Sequence, residues 1–439
     1  MRILIVAHGF PPTHSAGAQR RAERMANWLV ANQHEVEVFA IEKIDDTGFR
    51  LETSSQGGYN VHRVFYNVYG GDNPFRNSYE FVPIADAIRN VLADRTFDLV
   101  HLVSGYLLAA QAIHVAHECN LPVVVTLTEY WFMCTRLNLI QARGRLCSGP
   151  ETAEKCMRCM AEERRRYQFL ARRAPRVMDT YWSLTQNLPF ARKATEEIAR
   201  RQGVLREALN AAELVISPSH YLTHKFAEFG FDTLRYLFIR QGLVRSAESQ
   251  PASHESASGK LRLGYIGQIK AHKGVDLIVD AVVALLQSGR AVSLDLWGTE
   301  TEAPEYVAQL KRRSSGYEAI RWRGQYVGAQ VWDVLANFDV LVVPSRWYEN
   351  SPNVILEAYA MGLPVIATNL GGMAELVEHG KSGLLFELDD KDDLRIQIER
   401  LLDEPNLLNL LRTGIPRVKT LDQEMQEIVA QYERLVKND

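Results

Sequence analysis

At 439 residues the chain is too long for one ordinary hydrophobic core, so two domains are expected. Apolar residues make up 46% and charged residues 23%, the balance of a soluble globular chain, and a net charge of −3 excludes a dedicated nucleic-acid binder, which carries a clear basic excess. No run approaches 18 uninterrupted apolar residues, which excludes a spanning helix, and the opening MRILIVAHGF is too short an apolar run for a secretion signal, so a cytoplasmic chain with reduced thiols is expected.

Arg2–Ala7 reads as a buried strand, followed by the loop HGFPPTHSAGAQ, a helical pattern over Arg20–Asn32 and a second strand over His34–Ala40. This is a βαβ start. Gly17, near the helix start, lets backbone approach a ligand, although many such turns need glycine on steric grounds alone. Further strands are expected at Asn60–Phe65, Asp98–Leu102, Val123–Leu127 and Leu214–Ser217, with a helix over Ala109–Cys119. QPASHESASG (250–259) is polar and small, the composition of a linker. The pattern then restarts with a strand in LRLGYIGQI, a helix over Val275–Leu286 and a strand over Val292–Leu296. Strands alternating with helices make doubly wound parallel sheets. The expected α/β architecture is two Rossmann-like halves, 1–248 and 260–416, facing each other across a cleft, with an insertion at 134–210. A last helix, Leu421–Lys437 within 417–439, carries Leu421, Met425, Ile428, Val429, Tyr432, Leu435 and Val436 on one stripe and must pack on something.

The most informative stretch is 340–386. Val340–Val343 reads as a buried strand and leads through a polar loop into a helix. Ser351 suits the N-cap and Pro352 the first helical position. Val354, Ile355, Leu356 and Ala358 supply the buried side, Gly362 ends the helix, and Leu363–Thr368 returns as a strand. Glu349 lies before the helix and Glu357 inside it, about 9 Å of helix rise beyond Ser351. Between them, the helix start (Asn350, Ser351, Asn353, Val354) offers unpaired N–H groups and a positive dipole end, a seat for phosphate. An anion flanked by two hydroxyl-binding carboxylates describes a nucleotide-diphosphate sugar.

The E-x7-E pair on this unit, followed by GLPVIATNLGG and HGKSGLLF, resembles the nucleotide-sugar half of family 4 glycosyltransferases, which have the GT-B fold. The resemblance implies that Glu349 contacts the transferred sugar and Glu357 the nucleotide ribose, with retention of anomeric configuration. GQIKAHKG (267–274) matches the position where that family has Gly-Arg followed by Lys-Gly. Lys273 then neutralises the donor diphosphate without a metal, beside Gly267. Gln268 stands in place of the Arg and removes one charge, and Lys270 is the nearby alternative. In the first loop the family carries a Gly pair, and here Ala16 precedes Gly17. VVVTLTEYWFMCTR resembles the stretch that places a His-Asp pair near the transferred sugar. Here those residues are Thr128 and Glu129, so a hydroxyl and a carboxylate are available and a role requiring imidazole does not carry over. His8 and His14 are the other candidates in the first half. The resemblance implies a UDP- or GDP-linked donor, a saccharide or lipid-linked acceptor, and a place in cell-surface polysaccharide or glycoconjugate synthesis. With the His and Arg missing, two alternatives stay open: a non-catalytic nucleotide-sugar-binding protein, and a nucleotide-sugar epimerase.

Cys134, Cys147, Cys156 and Cys159 lie within 26 residues, and the last two form a C-x2-C pair typical of zinc knuckles. A similar cysteine set occurs in part of the resembled family. A structural zinc and four unbridged thiols both remain open; Cys119 sits in an apolar helical pattern and reads as core. Arg158–Arg206 holds twelve Lys or Arg against five Asp or Glu, with Tyr167, Phe169, Tyr181, Trp182 and Phe190 interleaved. It reads either as a solvated helix face or as contact with an anionic membrane surface at the inner face, suited to a lipid-linked acceptor.

Overall fold

Short apolar runs become central strands in the computed structural model, which describes residues 1–244, 259–326 and 328–437. The chain divides into two units, 1–240 with 422–439, and 241–421. The first contains eight strands: β1 (Arg2–Ala7), β2 (Glu35–Lys43), β3 (Asp45–Gln56), β4 (Tyr59–Asn67), β5 (Leu99–Val103), β6 (Val123–Thr126), β7 (Leu214–Ser217) and β8 (Tyr236–Phe238). They are ordered β3-β4-β2-β1-β5-β6-β7-β8. β1 lies at the centre, parallel to β2 and β5, and Ile3 to Val6 are fully buried because both sheet faces are covered.

Two strands of this sheet have no counterpart in the sequence reading. β3 pairs antiparallel with β4 through Gly57 and Gly58, both at positive φ, as a tight hairpin requires. Its sequence DDTGFRLETSSQ is mostly polar and exposed, so no apolar run announced it. β8 is a three-residue edge strand, below the length at which a pattern can form. The first sheet is therefore parallel except at one edge.

The second unit contains β9 (Leu261–Ile266), β10 (Val292–Trp297), β11 (Ile320–Gly324), β12 (Val340–Val343), β13 (Val365–Thr368) and β14 (Gly383–Phe386). Their order is β11-β10-β9-β12-β13-β14, all parallel. Sheet order reverses at β9–β12, the kind of point where open α/β sheets bind ligands at the carboxyl ends of their strands.

The unit boundary falls at Arg240, not at 248. Gln241 Nε2 donates to the Ser351 carbonyl at 2.6 Å and to Asn353 Oδ1 at 3.0 Å, and Leu243 bridges to Thr420; these bonds hold 241–243 and 420 in the second unit. The expected linker lies outside the described residues from 250 to 258. The final helix, Leu421–Lys437, packs in the first unit, burying Met425, Ile428 and Tyr432. Leu421, Val429, Leu435 and Val436 are only partly covered, and Glu424 is buried on the same side, where it pairs with Arg21 at 2.5 Å.

Between β6 and β7 the chain forms four helices, Ala153–Glu162, Arg165–Arg173, Pro175–Thr185 and Pro189–Ala211. Pro175 and Pro189 open the last two, where a missing N–H costs nothing. They share a small core of Met157, Ala171, Met178, Trp182, Ala191 and Ile198.

Candidate functional site

The second unit brings Lys273, Glu349 and the start of the helix Asn353–Ala360 into one neighbourhood. Lys273 closes a 3-10 turn, Ala271–Lys273, after β9, and Gly274 behind it has φ +68°. A Cβ there would stand 1.9 Å from the Pro344 carbonyl oxygen, so both conformation and closeness demand glycine. This close approach sets the lysine turn against the loop after β12. Arg346 pins the same two loops. Its N–H donates to the His272 carbonyl at 2.8 Å, and its guanidinium reaches the Ala271 carbonyl at 3.0 Å, Asp276 at 2.5 and 2.8 Å, and Asp389.

Three donors converge on one oxygen of Glu349. Its Oε1 accepts from Lys273 Nζ at 2.6 Å, Trp347 Nε1 at 2.7 Å and Ser345 Oγ at 3.1 Å. The Lys273 ammonium also lies 4.8 Å from the Trp347 ring, within cation–π range. The Glu349 carbonyl accepts from Gly372 N–H at 2.7 Å. A Cβ on Gly372 would be 1.8 Å from the Asn350 carbonyl oxygen, which explains the second glycine of NLGG. His272 packs edge-on against Trp347, and burial, followed by the Lys273 cation, lowers its pKa to about 4, so the imidazole is neutral beside Lys273.

The helix start differs from expectation by one residue. Pro352, at φ −67° and ψ 119°, is the N-cap, because its extended ψ keeps it outside the helix, and its hydrocarbon ring makes no side-chain cap bond. Ser351 is therefore not the cap, and its Oγ is buried without a hydrogen-bond partner among the described residues. Ile355, Leu356, Ala358 and Tyr359 are buried, whereas Val354 is only partly covered. Gly362 ends the helix at φ +69°. Glu357 is half-buried on this helix, and Asn350 is buried. Gly267 closes β9 at φ +155°. Gln268 is exposed and donates to Glu302 at 3.3 Å; Lys270 pairs with the same carboxylate at 2.5 Å. Glu302 thus engages Lys270, the residue weighed as the second phosphate cation, together with Gln268, which stands in place of the Arg.

In the first unit, polar groups collect where β1, β5 and β6 end. Thr128 Oγ1 donates to Glu129 Oε2, and Gly105 N–H donates to Glu129 Oε1 at 3.3 Å. Burial pushes the Glu129 carboxyl up, against the opposing hydrogen bonds from Thr128, Ser104 and Gly105. His8 Nε2 is 2.7 Å from Gln19 Nε2, so the imidazole nitrogen accepts there. Burial, with a smaller contribution from His14, lowers its pKa to about 4. His14 is occupied with the Glu42 carbonyl at 2.8 Å. Gly17 opens the helix Gly17–Ala31, and a Cβ there would meet nothing within 4 Å; no packing among the described residues requires glycine at that position. Ser104 and Gly105 were not singled out in the sequence, since a Ser-Gly pair after a strand is an ordinary loop. Trp347 and Arg346 had a signal, aromatic and basic residues next to a site glutamate, but no spacing rule separates them from loop residues.

The four clustered cysteines line one cavity of about 310 Å³, and of the two readings left open, zinc or unbridged thiols, the zinc is not matched by a ligand group. Among the described residues no set of three or more His, Cys, Asp or Glu is placed to hold a metal ion. The sulphurs are engaged separately: Cys147 with the Gly149 carbonyl at 3.5 Å, Cys159 with Ala142 N–H at 3.3 Å, and Cys156 with Gln202 at 3.5 Å. Burial pushes the Cys156 thiol up to about 12 and that of Cys159 to about 11, which favours the neutral thiol. All five cysteines are unbridged. Cys119 is the C-cap of the helix Ala109–Glu118 and only partly buried, so it is not the core residue expected.

Comparison with known proteins gives two family matches. Residues 16–242 match "Glycosyl transferase 4-like domain" and residues 260–404 match "Glycosyl transferases group 1". The chain is 29% identical over 255 residues to the lipopolysaccharide core biosynthesis mannosyltransferase LpsB of Rhizobium meliloti (strain 1021), covering 55% of this chain and 68% of that protein. It is 26% identical to D-inositol 3-phosphate glycosyltransferase of Rhodococcus opacus (strain B4), covering 53% of this chain and 55% of that one, so it spans about half the length of that relative. Among solved structures, sucrose-phosphate synthase from Thermosynechococcus elongatus superposes with a TM-score of 0.67 at 17% identity over all of both chains. Anabaena Alr3699/HepE in complex with UDP and glucose superposes with a TM-score of 0.64 at 16% identity, over 99% of this chain and 100% of that one. The fold is GT-B, and with one family description covering more than half of its length and a second covering most of its second unit, the chain belongs to the glycosyltransferase 4-like family of transferase enzymes.

Proposed function

We propose that the second unit binds a UDP- or GDP-linked sugar and that the enzyme transfers the sugar, with retention, to a saccharide or lipid-linked acceptor in cell-surface polysaccharide or glycoconjugate synthesis. The observation that carries this reading is the Lys273–Glu349 pair at 2.6 Å, set beside a helix start that carries Glu357 further along. In this assignment Lys273 turns its ammonium from Glu349 to the diphosphate and stabilises the leaving group as the glycosidic bond breaks. Glu349 Oε2, which Lys273, Trp347 and Ser345 do not use, accepts from sugar hydroxyls, and Glu357 accepts from the ribose. Backbone around Gly267, Gln268, Asn350, Ser351, Asn353 and Val354 lines the phosphates and base. In the first unit, Thr128 offers its hydroxyl to the sugar with Glu129 behind it, and Gly17 gives backbone access.

UDP in the Alr3699/HepE complexes supports the donor class, and the mannosyltransferase and inositol phosphate relatives support polar acceptors. Membership in a transferase family displaces the epimerase and the non-catalytic binder. The test is a thermal-shift panel of UDP, GDP and their sugars. A ligand at 100-fold its dissociation constant should stabilise by about 2.7 kcal/mol. No shift from any nucleotide diphosphate would overturn the reading.

A further inference from the structure

The helices Arg165–Arg173 and Pro175–Thr185 bury one side against their shared core and leave the other side outward. Of the large apolar side chains exposed among the described residues, Phe169, Leu170, Val177, Leu184, Leu188 and Phe190 fall within 169–190; the remaining eight are scattered over the rest of the chain. Phe169 is 70% and Leu184 77% exposed; single exposed apolar residues need no explanation, whereas a group of them on one segment marks an interaction surface. Tyr167, Tyr181 and Trp182, by contrast, turn inward and pack on one another at 5.0–5.8 Å.

Charge follows the same outward side. Residues 164–193 hold eight Lys or Arg against one Asp, and that Asp179 is paired with Arg143 at 2.7 Å. Arg164, Arg165, Arg166, Arg172, Arg173, Arg176, Arg192 and Lys193 are all exposed, and none has a carboxylate partner among the described residues. At helical spacing, Phe169 stands opposite the buried Ala171 with Arg165, Arg166 and Arg173 around it, and Val177 and Leu184, two turns apart, share one stripe. No described helix is long and apolar enough to cross a membrane.

We propose that the outward face of 164–193 docks on an anionic lipid surface, its phenylalanine and leucine side chains entering the interface and its arginines meeting the headgroup charge. A soluble acidic protein would meet the charge but not six separate apolar tips; a headgroup layer over acyl chains meets both. The docking would suit a lipid-linked acceptor but does not rest on donor binding.

The test is sedimentation of the full chain with phosphatidylglycerol–phosphatidylcholine vesicles and with pure phosphatidylcholine vesicles. Binding is expected with the first, weakened by salt, and nearly absent with the second. Removing Arg165, Arg166 and Arg173 together by substitution to Gln should lower partitioning about fivefold per charge. Phe169→Ser with Leu184→Ser should lower it while leaving the salt dependence in place. These residues are exposed, so both variants should keep the parent melting temperature and the parent response to UDP, which reads the donor site separately. Absence of binding to either vesicle, equal binding to both, or loss only in the arginine variant with the apolar variant unchanged would each overturn the proposal.

Discussion

Lys273 and Glu349 are each other's principal ionic partner in the free protein, and each is largely covered, with side chains 18% and 12% exposed. Lys273→Ala should therefore have two effects. Turnover and nucleotide-diphosphate affinity fall together, and stability falls by about 1–3 kcal/mol because the Glu349 charge keeps only the neutral donors Trp347 and Ser345. Adding Glu349→Gln should recover the stability and leave turnover lost. If Lys273→Ala binds and transfers normally, a different cation holds the phosphates. Glu357 is half-buried and outside the apolar core of the unit, so Glu357→Ala should leave the melting temperature unchanged. Calorimetric titration should find UDP binding weaker by about 1.5–3 kcal/mol, the value of a charge-assisted hydrogen bond; equal affinity would remove the ribose assignment.

At the scale of an element, the final helix shows what holds a late segment to an early one. Glu424 and Arg21 form a buried pair at 2.5 Å, Trp28 Nε1 donates to Asp422 at 2.6 Å, and Tyr432 hydrogen-bonds His101, a β5 residue whose other nitrogen meets Thr126 on β6 at 2.8 Å. Glu424→Ala strands the Arg21 guanidinium in a buried position, and urea melts should show a loss of about 3–5 kcal/mol. Replacing both, Arg21→Met with Glu424→Leu, should recover most of that loss, since apolar pairs of similar size often match a buried ion pair. If the double variant is no better than Glu424→Ala, shape and not charge governs the site.

For the molecule as a whole, the histidines set the response to acid. Burial, aided by the Arg21 cation, lowers the fully buried His101 to about 3, and burial lowers His8 to about 4. Both are neutral in the fold, while the unfolded chain takes up their protons below about 6.5. Stability from each is thus complete above that pH and is lost as the pH falls toward 3 or 4, at up to about 1.4 kcal/mol per pH unit for each group. Denaturant titrations across this range should show the slope, and His101→Gln should make it shallower by about one proton. An unchanged slope would mean that His101 is not the acid-sensitive group.

Local chemistry determined the strand–loop–helix–strand unit around Glu349 and the positions of β1, β7 and β12, because apolar runs and glycine at helix ends depend on near neighbours in the chain; the family came from the resemblance of the E-x7-E pair and its flanking motifs to known sequences. Pro352 shows the limit even there: its fixed φ suits the cap and the first helical position equally, and only ψ, set by the packed loop, chose the cap. Tertiary structure decided what depends on distant partners. Polar β3 is a strand because β4 supplies its hydrogen bonds. Glu424 is buried because Arg21, some 400 residues earlier, meets its charge. Glu302 engages Gln268 and Lys270, and the four cysteines share a cavity without forming a ligand set. Spacing along the chain specifies which side chains are available, but a pair or a cavity depends on directions that only the packed elements impose.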